Sequence, residues 1–525
     1  MVSTQLPSAT QVALKILRDG GNAVDAMITA VFLQHVEDYY AVSHFGSMSA
    51  LYYEAATGKY YAINAISERP RADRGKHGDA SKVVIGGVIR GLEALAKQFG
   101  TGRSWASYLE PAIAAAEKGV IVNSMMYRYN FQAMEGKAMY SFLDNPEARE
   151  FYMPDGHLVP VGFRWKMTAL AKHLRKLAAE GPDYMYTGEW GQKFVKESTK
   201  RGYRVSLEDM EEYKTRWDEP VRFTYRGHEI LGSPPPDTGG LVVGYNLNIL
   251  ENFDLKSLGP YHESPETFEI MARTFDRVSS ETRGIIKDPL NFRIPAALWL
   301  SKDYGKMGAE FVRNTMIQPD VDLLPAKNKN ASLSRQSESF FSPLQWIETA
   351  NLGSNHNVIV DAQGNWISLL HTLHGGAPGI FIDGVRAWGS TAQAYTAGPG
   401  RRLVLPITAI LIVKDGKPWL AMGTPGFPPQ PVTEVLVNMI DFGMHPKDAA
   451  DAPRFWAFLK EGMVHVESRI SQQVRNSLMS HGIKLEDMGP YTWQTGSIQI
   501  IWRDPKTGKL HGVTDPRRLG YVAGF

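Results

Sequence analysis

The chain has 525 residues, 57 of them basic and 55 acidic, a formal net charge of +2, and no Cys. The charge balance removes the electrostatic argument for nucleic acid or an anionic membrane surface. The lack of thiols excludes disulfides, thiolate metal sites and Cys nucleophiles and fits a cytoplasmic protein.

Hydrophobic residues at 43% and charged residues at 21% are those of a globular chain, long enough for two domains or one layered one. No stretch approaches ~20 uninterrupted apolar residues, so no membrane span is predicted. Residues 1–7 lack the basic and apolar regions of a secretory signal.

Residues 8–18 predict a helix with Ala9, Val12, Ala13, Ile16 and Leu17 on its inner face. Asp19-Gly20-Gly21-Asn22 stops it and caps the next. Residues 23–34 are nearly all small or apolar, which predicts a deeply buried helix. Asp25 on it reads as a buried structural cap or as a site residue. Strands are predicted over 46–53 and 60–64, around a hairpin turn. The charged run from Ser67 to Arg74 reads as a solvated loop or as a basic rim for an anionic substrate.

Gly86-Gly87 opens a segment that is helical to residue 98. No Lys-Ser or Lys-Thr follows, so the pair reads as close packing and not as a phosphate cradle. Helices are predicted over 108–122 and 165–179, and Ser206 to Asp209 carries a helix-capping signal. Ser233-Pro234-Pro235-Pro236-Asp237-Thr238-Gly239-Gly240 predicts a tight buried crossing from a strand into a helix over 241–250. Residues 316–345 carry little pattern and read as a mobile surface segment.

Next comes Gly353-Ser354-Asn355-His356-Asn357, followed by the β-branched Val358-Ile359-Val360. A turn at 361–365 and a returning strand over 366–370 complete a hairpin. Taken alone, Gly353-Ser354 is an ordinary turn. Were the bond between them broken, the Ser354 hydroxyl would sit beside its own free amine, a nucleophile and a base in one residue. Strands over 403–413 and 419–423 and a helix over 432–442 follow. Stacked sheets covered by helices are the expected result. There is no Gly-x-Ser-x-Gly elbow and no paired metal-ligand spacing, so neither a metal nor another cofactor is expected.

Several of these pieces together resemble the gamma-glutamyltransferase family of N-terminal nucleophile hydrolases. They are Gly20 to Ala26, Thr224-Tyr225-Arg226-Gly227, Pro234-Pro235-Pro236 with Gly239-Gly240, and the Ser354 to Asp361 strand. The likeness continues through Lys414 to Pro418, Gly423-Thr424-Pro425-Gly426, Asp441 to Met444 and Asp451 to Phe455. The order is the family's over nearly the whole chain.

The resemblance implies an α/β (α+β) fold, a four-layer αββα sandwich of two mainly antiparallel sheets covered by helices. It implies a precursor that cuts itself between Gly353 and Ser354. The products would be a large chain, 1–353, and a small chain, 354–525, forming one domain as a heterodimer, with a dimer of heterodimers left open. Ser354-Asn355-His356 match the family's Thr-Thr-His, which makes Ser354 the nucleophile and places Asn355 and His356 beside the substrate. Ser lacks the methyl that fixes χ1 of Thr, so its hydroxyl is less preorganised. Thr372 matches a Thr that hydrogen-bonds the nucleophile; its other reading is a strand Thr facing solvent. Gly426 and Phe427 match the Gly-Gly whose N–H groups form the oxyanion hole.

The departures are equally informative. The family's carboxylate-binding Arg falls at Ile66, its Ser-Ser pair at Leu405-Pro406, its amine-binding Asp near Trp388, and its strand Asn at His374. Ile, Leu, Pro and Trp cannot pair the charges of a zwitterionic glutamyl group, so a non-glutamyl amide is expected. Arg69, Arg71, Arg386 and Arg402 are candidates for a smaller acid, and His374 could bind or shuttle a proton. The expected partner is a small-molecule amide, with no nucleic acid and no membrane. Small-acid amidases and cephalosporin-type acylases lie in the same wider family. The alternative is an unprocessed, non-catalytic binding relative.

Overall fold

The hairpin predicted around Ser354 forms the middle of the larger of the two main sheets. The computed structural model describes residues 1–72, 83–127, 145–317, 353–373, 375–388, 397–425, 429–459 and 463–525. Strand Ser354–Val360 pairs antiparallel with Trp366–Thr372, in a register that sets Ser354 opposite Thr372. On one side Val2–Thr4 and then Tyr521–Ala523 extend this sheet; on the other Ser47–Glu54, Lys59–Ala65 and Arg216–Asp218 do. A second antiparallel sheet of six strands stacks on it, ordered Leu510–Thr514, Gln499–Arg503, Lys417–Thr424, Thr408–Lys414, His228–Gly232 and Val221–Tyr225.

The alternation of side chains along each strand explains the layering. Val358, Val360 and Leu370 meet Leu231, Leu411 and Ala421 of the second sheet in the central core. Ile359, Ile367 and Leu369 point the other way, beneath helix Ala23–Glu37. Ile410, Ile412 and Met422 face helices Gly239–Leu250, Pro265–Thr282 and Gln430–Ile440. This is the four-layer αββα sandwich.

Local chemistry explains most element ends. Asn22 and Asp25 close a reciprocal capping box at the buried helix, and Asp25 also accepts from the Thr101 and Tyr108 hydroxyls. Asp25 is therefore structural. Ser206 and Asp209 form a second box. Gly86 and Gly87 are required by packing: a Cβ there would lie 2.3 Å from the Phe45 carbonyl oxygen and 2.2 Å from that of Ala65. In the Pro run Pro236 is buried while Pro234 and Pro235 are half-buried, and Gly240 lies against the Gly232–Ser233 backbone.

Four expectations are corrected. The first helix, Pro7–Arg18, buries Leu14, whereas Val12 and Leu17 are only half-buried. The helix predicted over 108–122 is Trp105–Lys118, stopped at Gly119 with φ +85°. The strand predicted from 403 starts at Thr408. Ser67, Glu68 and Arg69 are buried and Arg71 is exposed, so the start of the charged run is not a solvated loop; Asp73 and Arg74 lie outside the described residues. Of the segment predicted as mobile, residues 316 and 317 end the helix Lys302–Ile317 and the rest lies outside the described residues.

Candidate active site

Ser354 opens its strand on the face that His356, Val358 and Val360 turn towards the second sheet. It is 5% exposed. Directly across the ladder, the Thr372 hydroxyl donates to the Gly353 carbonyl at 3.5 Å, the long end of the hydrogen-bonding range. Thr372 is itself fully buried, which removes its reading as a solvent-facing strand Thr. The carbonyl that a self-cleaving Ser354 must attack thus has a hydroxyl donor beside it.

The surrounding backbone is packed to hold this pair. A Cβ on Gly46 would fall 1.9 Å from the Thr372 carbonyl oxygen. Gly353 is hemmed by Ala41 and the Arg518 guanidinium, both within 3.2 Å of where its Cβ would be. Arg518 Nη1 donates to the Ser354 carbonyl at 2.7 Å. Burial raises the Asp38 carboxyl above its ordinary range, and Tyr40, Arg518 and Asn355 beside it oppose that rise. Arg518 carried no signal in the sequence, and Asp38 none that pointed to Ser354. Their roles come from the junction of the second helix with the C-terminal tail, far apart along the chain.

His356 is not open to substrate. Its Nε2 shares a 2.8 Å hydrogen bond with the Ser368 hydroxyl, and the ring presses on Gly423, where a Cβ would lie 2.5 Å from Nε2. Burial lowers its pKa to about 3, so it is neutral. It supports the strand that Ser354 opens from within the central core. Asn355 is likewise fully buried and points to the helical side; among the described residues its amide makes no hydrogen bond of ordinary geometry.

Ile66 and Leu405 both lie in the central core with Val358 and Leu370. They bring apolar surface to the layer that Ser354 faces. Arg402 is committed to the protein: its guanidinium donates to the Ile66 carbonyl, the Tyr213 hydroxyl and the Lys214 carbonyl, and lies 3.4 Å from Glu68. Fully buried, with three of its N–H groups bonded to the protein and its charge met by Glu68, Arg402 is a structural group, which corrects its reading as a substrate anchor. Arg69 donates to the Ala397 carbonyl and Arg71 pairs with Glu212. Arg386 is buried with Nη2 on the Tyr40 carbonyl. Trp388 pairs with Gly375 at the end of its hairpin. His374, Gly426 and Phe427 lie outside the described residues. The strand leading to Gly426 ends at Thr424, whose hydroxyl accepts from the Ser497 N–H and donates to the Pro425 carbonyl.

The geometry can therefore bring a hydroxyl, a donor and the carbonyl of one peptide bond together at a strand head. Comparison with known proteins points the same way. The family model for Gamma-glutamyltranspeptidase matches residues 9–525. The chain is 27% identical to the Acylase ACY 1 proenzyme of Pseudomonas sp. (strain V22), covering 92% of this chain and 87% of that one. It is 27% identical to the Glutathione hydrolase proenzyme of Escherichia coli (strain K12), covering 100% and 92%. The structure superposes on a crystal structure of cephalosporin acylase from Bacillus halodurans with a TM-score of 0.81 and 25% identity, covering 100% and 95% of the two chains.

Proposed function

This chain belongs to the gamma-glutamyltranspeptidase family and is an N-terminal nucleophile hydrolase; on that premise we propose that it cuts itself before Ser354 and then hydrolyses a non-glutamyl amide. The observation that carries the reading is the Thr372 hydroxyl on the Gly353 carbonyl, directly opposite Ser354.

In the first stage the Ser354 Oγ attacks the Gly353 carbonyl carbon, and Thr372 donates to the oxygen that gains charge. The C–N bond breaks, the C–O bond to Oγ remains, and the proton from Oγ ends on the departing amine. Water then hydrolyses this ester. Gly353 becomes a carboxylate and Ser354 keeps a free amine. In the second stage that amine takes the proton of the Ser354 hydroxyl as the oxygen attacks a substrate amide. The same proton passes to the leaving amine, and water releases the acid. Arg518, on the Ser354 carbonyl, fixes the nucleophile's backbone through both stages.

The acyl pocket follows from what replaces the charged groups. Ile66 and Leu405 offer no partner to an α-carboxylate or α-amine, and burying either charge unpaired is costly. An uncharged or singly charged acyl group fits; a zwitterionic glutamyl group does not. The residue lengths make the test simple. Wild-type protein on a denaturing gel is expected to resolve into chains of 353 and 525 − 353 = 172 residues, and Ser354→Ala is expected to stay whole. A wild-type protein that never divides overturns the reading and favours an unprocessed binding relative.

A further inference from the structure

Ser354 and Thr372 are the last pair of their ladder, and the Thr372 hydroxyl reaches the Gly353 carbonyl only at 3.5 Å. Ladder hydrogen bonds run across the strands and resist their separation. They resist sliding less well, and a contact at the long end of the hydrogen-bonding range is lost on a small slide. Side chains on both faces of the hairpin oppose that motion.

On the face towards the second sheet, His356 bonds to Ser368 at 2.8 Å. His356 stands opposite Leu370, so Ser368 lies two residues further from the ladder's end. This tie runs along one diagonal of the hairpin. On the helical face one side chain from outside the hairpin makes the other diagonal. Gln34, fully buried on helix Ala23–Glu37, donates to the Asn357 Oδ1 at 2.9 Å and accepts from its Nδ2 at 2.8 Å. Its Oε1 also lies 2.9 Å from His371 Nε2. Asn357 stands opposite Leu369, and His371 lies two residues nearer the ladder's end. The two ties therefore cross, so a slide that slackens one stretches the other.

The hydrogen-bond partners fix the proton positions. Gln34 Oε1 is an acceptor, so His371 carries its proton on Nε2, and its Nδ1 accepts from His35 Nε2 at 3.2 Å. Burial keeps both imidazoles neutral. Gln34, Asn357 and His371 are all closed to solvent, where hydrogen bonds hold geometry most firmly.

We infer that Gln34 is a positioning residue for self-cleavage: by bracing Asn357 against His371 it keeps the Thr372 hydroxyl on the Gly353 carbonyl. The inference rests on the reading that the chain cuts itself before Ser354. Gln34 touches neither reacting atom and acts through the two strands.

The rate at which the intact band of freshly made protein disappears tests this, measured without denaturant where circular dichroism shows each variant folded. Gln34→Met is expected to slow the cut about tenfold or more. Should it fail to fold, Gln34→Asn, one methylene too short to span the diagonal, is measured in its place with the same expectation. Val36→Ala, a buried change on the same helix outside the brace, is expected to lower the urea midpoint and yet cut at the wild-type rate. Gln34→Met combined with Asn357→Leu is expected to cut no more slowly than the slower single variant, because both break one brace. A Gln34 variant that cuts at the wild-type rate, a Val36→Ala rate that falls as far as that of Gln34→Met, or losses that multiply in the double variant would each overturn the inference while leaving self-cleavage standing. A wild-type chain that never divides would overturn both.

Discussion

Beside the second sheet, Arg454 and Arg517 are buried against Asp515 and Glu467; beneath the helices of the first sheet, His35, His44, His173 and His371 are buried against one another. The first group is a paired network. Arg517 meets Glu467 at 2.6 Å and Asp515 at 3.2 Å, Arg454 meets Asp515, and further donors reach the carbonyls of Ala450, Ala452 and Thr495. Burial would raise Asp515, but the two guanidinium groups bring it below the usual carboxylate range. The second group carries no compensating charge. Its rings stand 4.4 Å (His35–His44), 5.1 Å (His35–His371) and 5.4 Å (His44–His173) apart, and burial lowers the pKa of all four. Two ways of hiding nitrogen in one sandwich thus respond oppositely to change. Charges in pairs fail when one partner is removed. Neutral imidazoles fail when protons are offered.

The sharpest way to break that contrast is to unpair the network. Arg517→Met leaves Glu467 with only the partly exposed Arg469, and Asp515 with only Arg454, and is expected to cost about 3 kcal/mol, read from urea unfolding at pH 7. A loss under one kcal/mol would mean that the network is not held by pairing. Next is His44→Phe. The folded pKa of His44 is about 3, against 6.5 ordinarily, so the unfolded chain takes up a proton below pH 6.5 that the folded chain refuses. Its contribution is whole above pH 6.5 and falls away as pH drops towards 3. At pH 5 the wild type has lost on the order of 2 kcal/mol through this one group. His44 contacts Phe32, His35 and His173 by ring packing, so a phenyl ring fits the site. The variant is expected to lose less stability than wild type between pH 7 and pH 5; equal losses would contradict the imidazole account.

The smallest expected effect lies at the strand opposite Ser354. Thr372→Val keeps the strand and removes the donor to the Gly353 carbonyl. Self-cleavage is expected to slow about tenfold or more, measured as the rate at which the intact band disappears. An unchanged rate would remove Thr372 from the chemistry.

Local signals made the layers legible. The hairpin at Ser354, the capping pair Asn22–Asp25 and the Gly86-Gly87 pair announce themselves within a few residues, and alternation assigns the faces of the strand that Ser354 opens. What the sequence hid is long-range. Arg518 reaches Ser354 across 164 residues, and His371 touches His35 across 336. Arg402 looked free because nothing local shows that Tyr213 and the Ile66 carbonyl occupy its guanidinium. His356 looked like a ligand for the same reason, since Ser368 and Gly423 claim it only once the two sheets stack.

The account stands on Ser354 becoming a chain end. N-terminal sequencing of the smaller polypeptide from protein that hydrolyses an amide tests it directly. Ser-Asn-His-Asn-Val is the predicted start. Turnover by protein in which the Ser354 nitrogen is still bonded to Gly353 would contradict it.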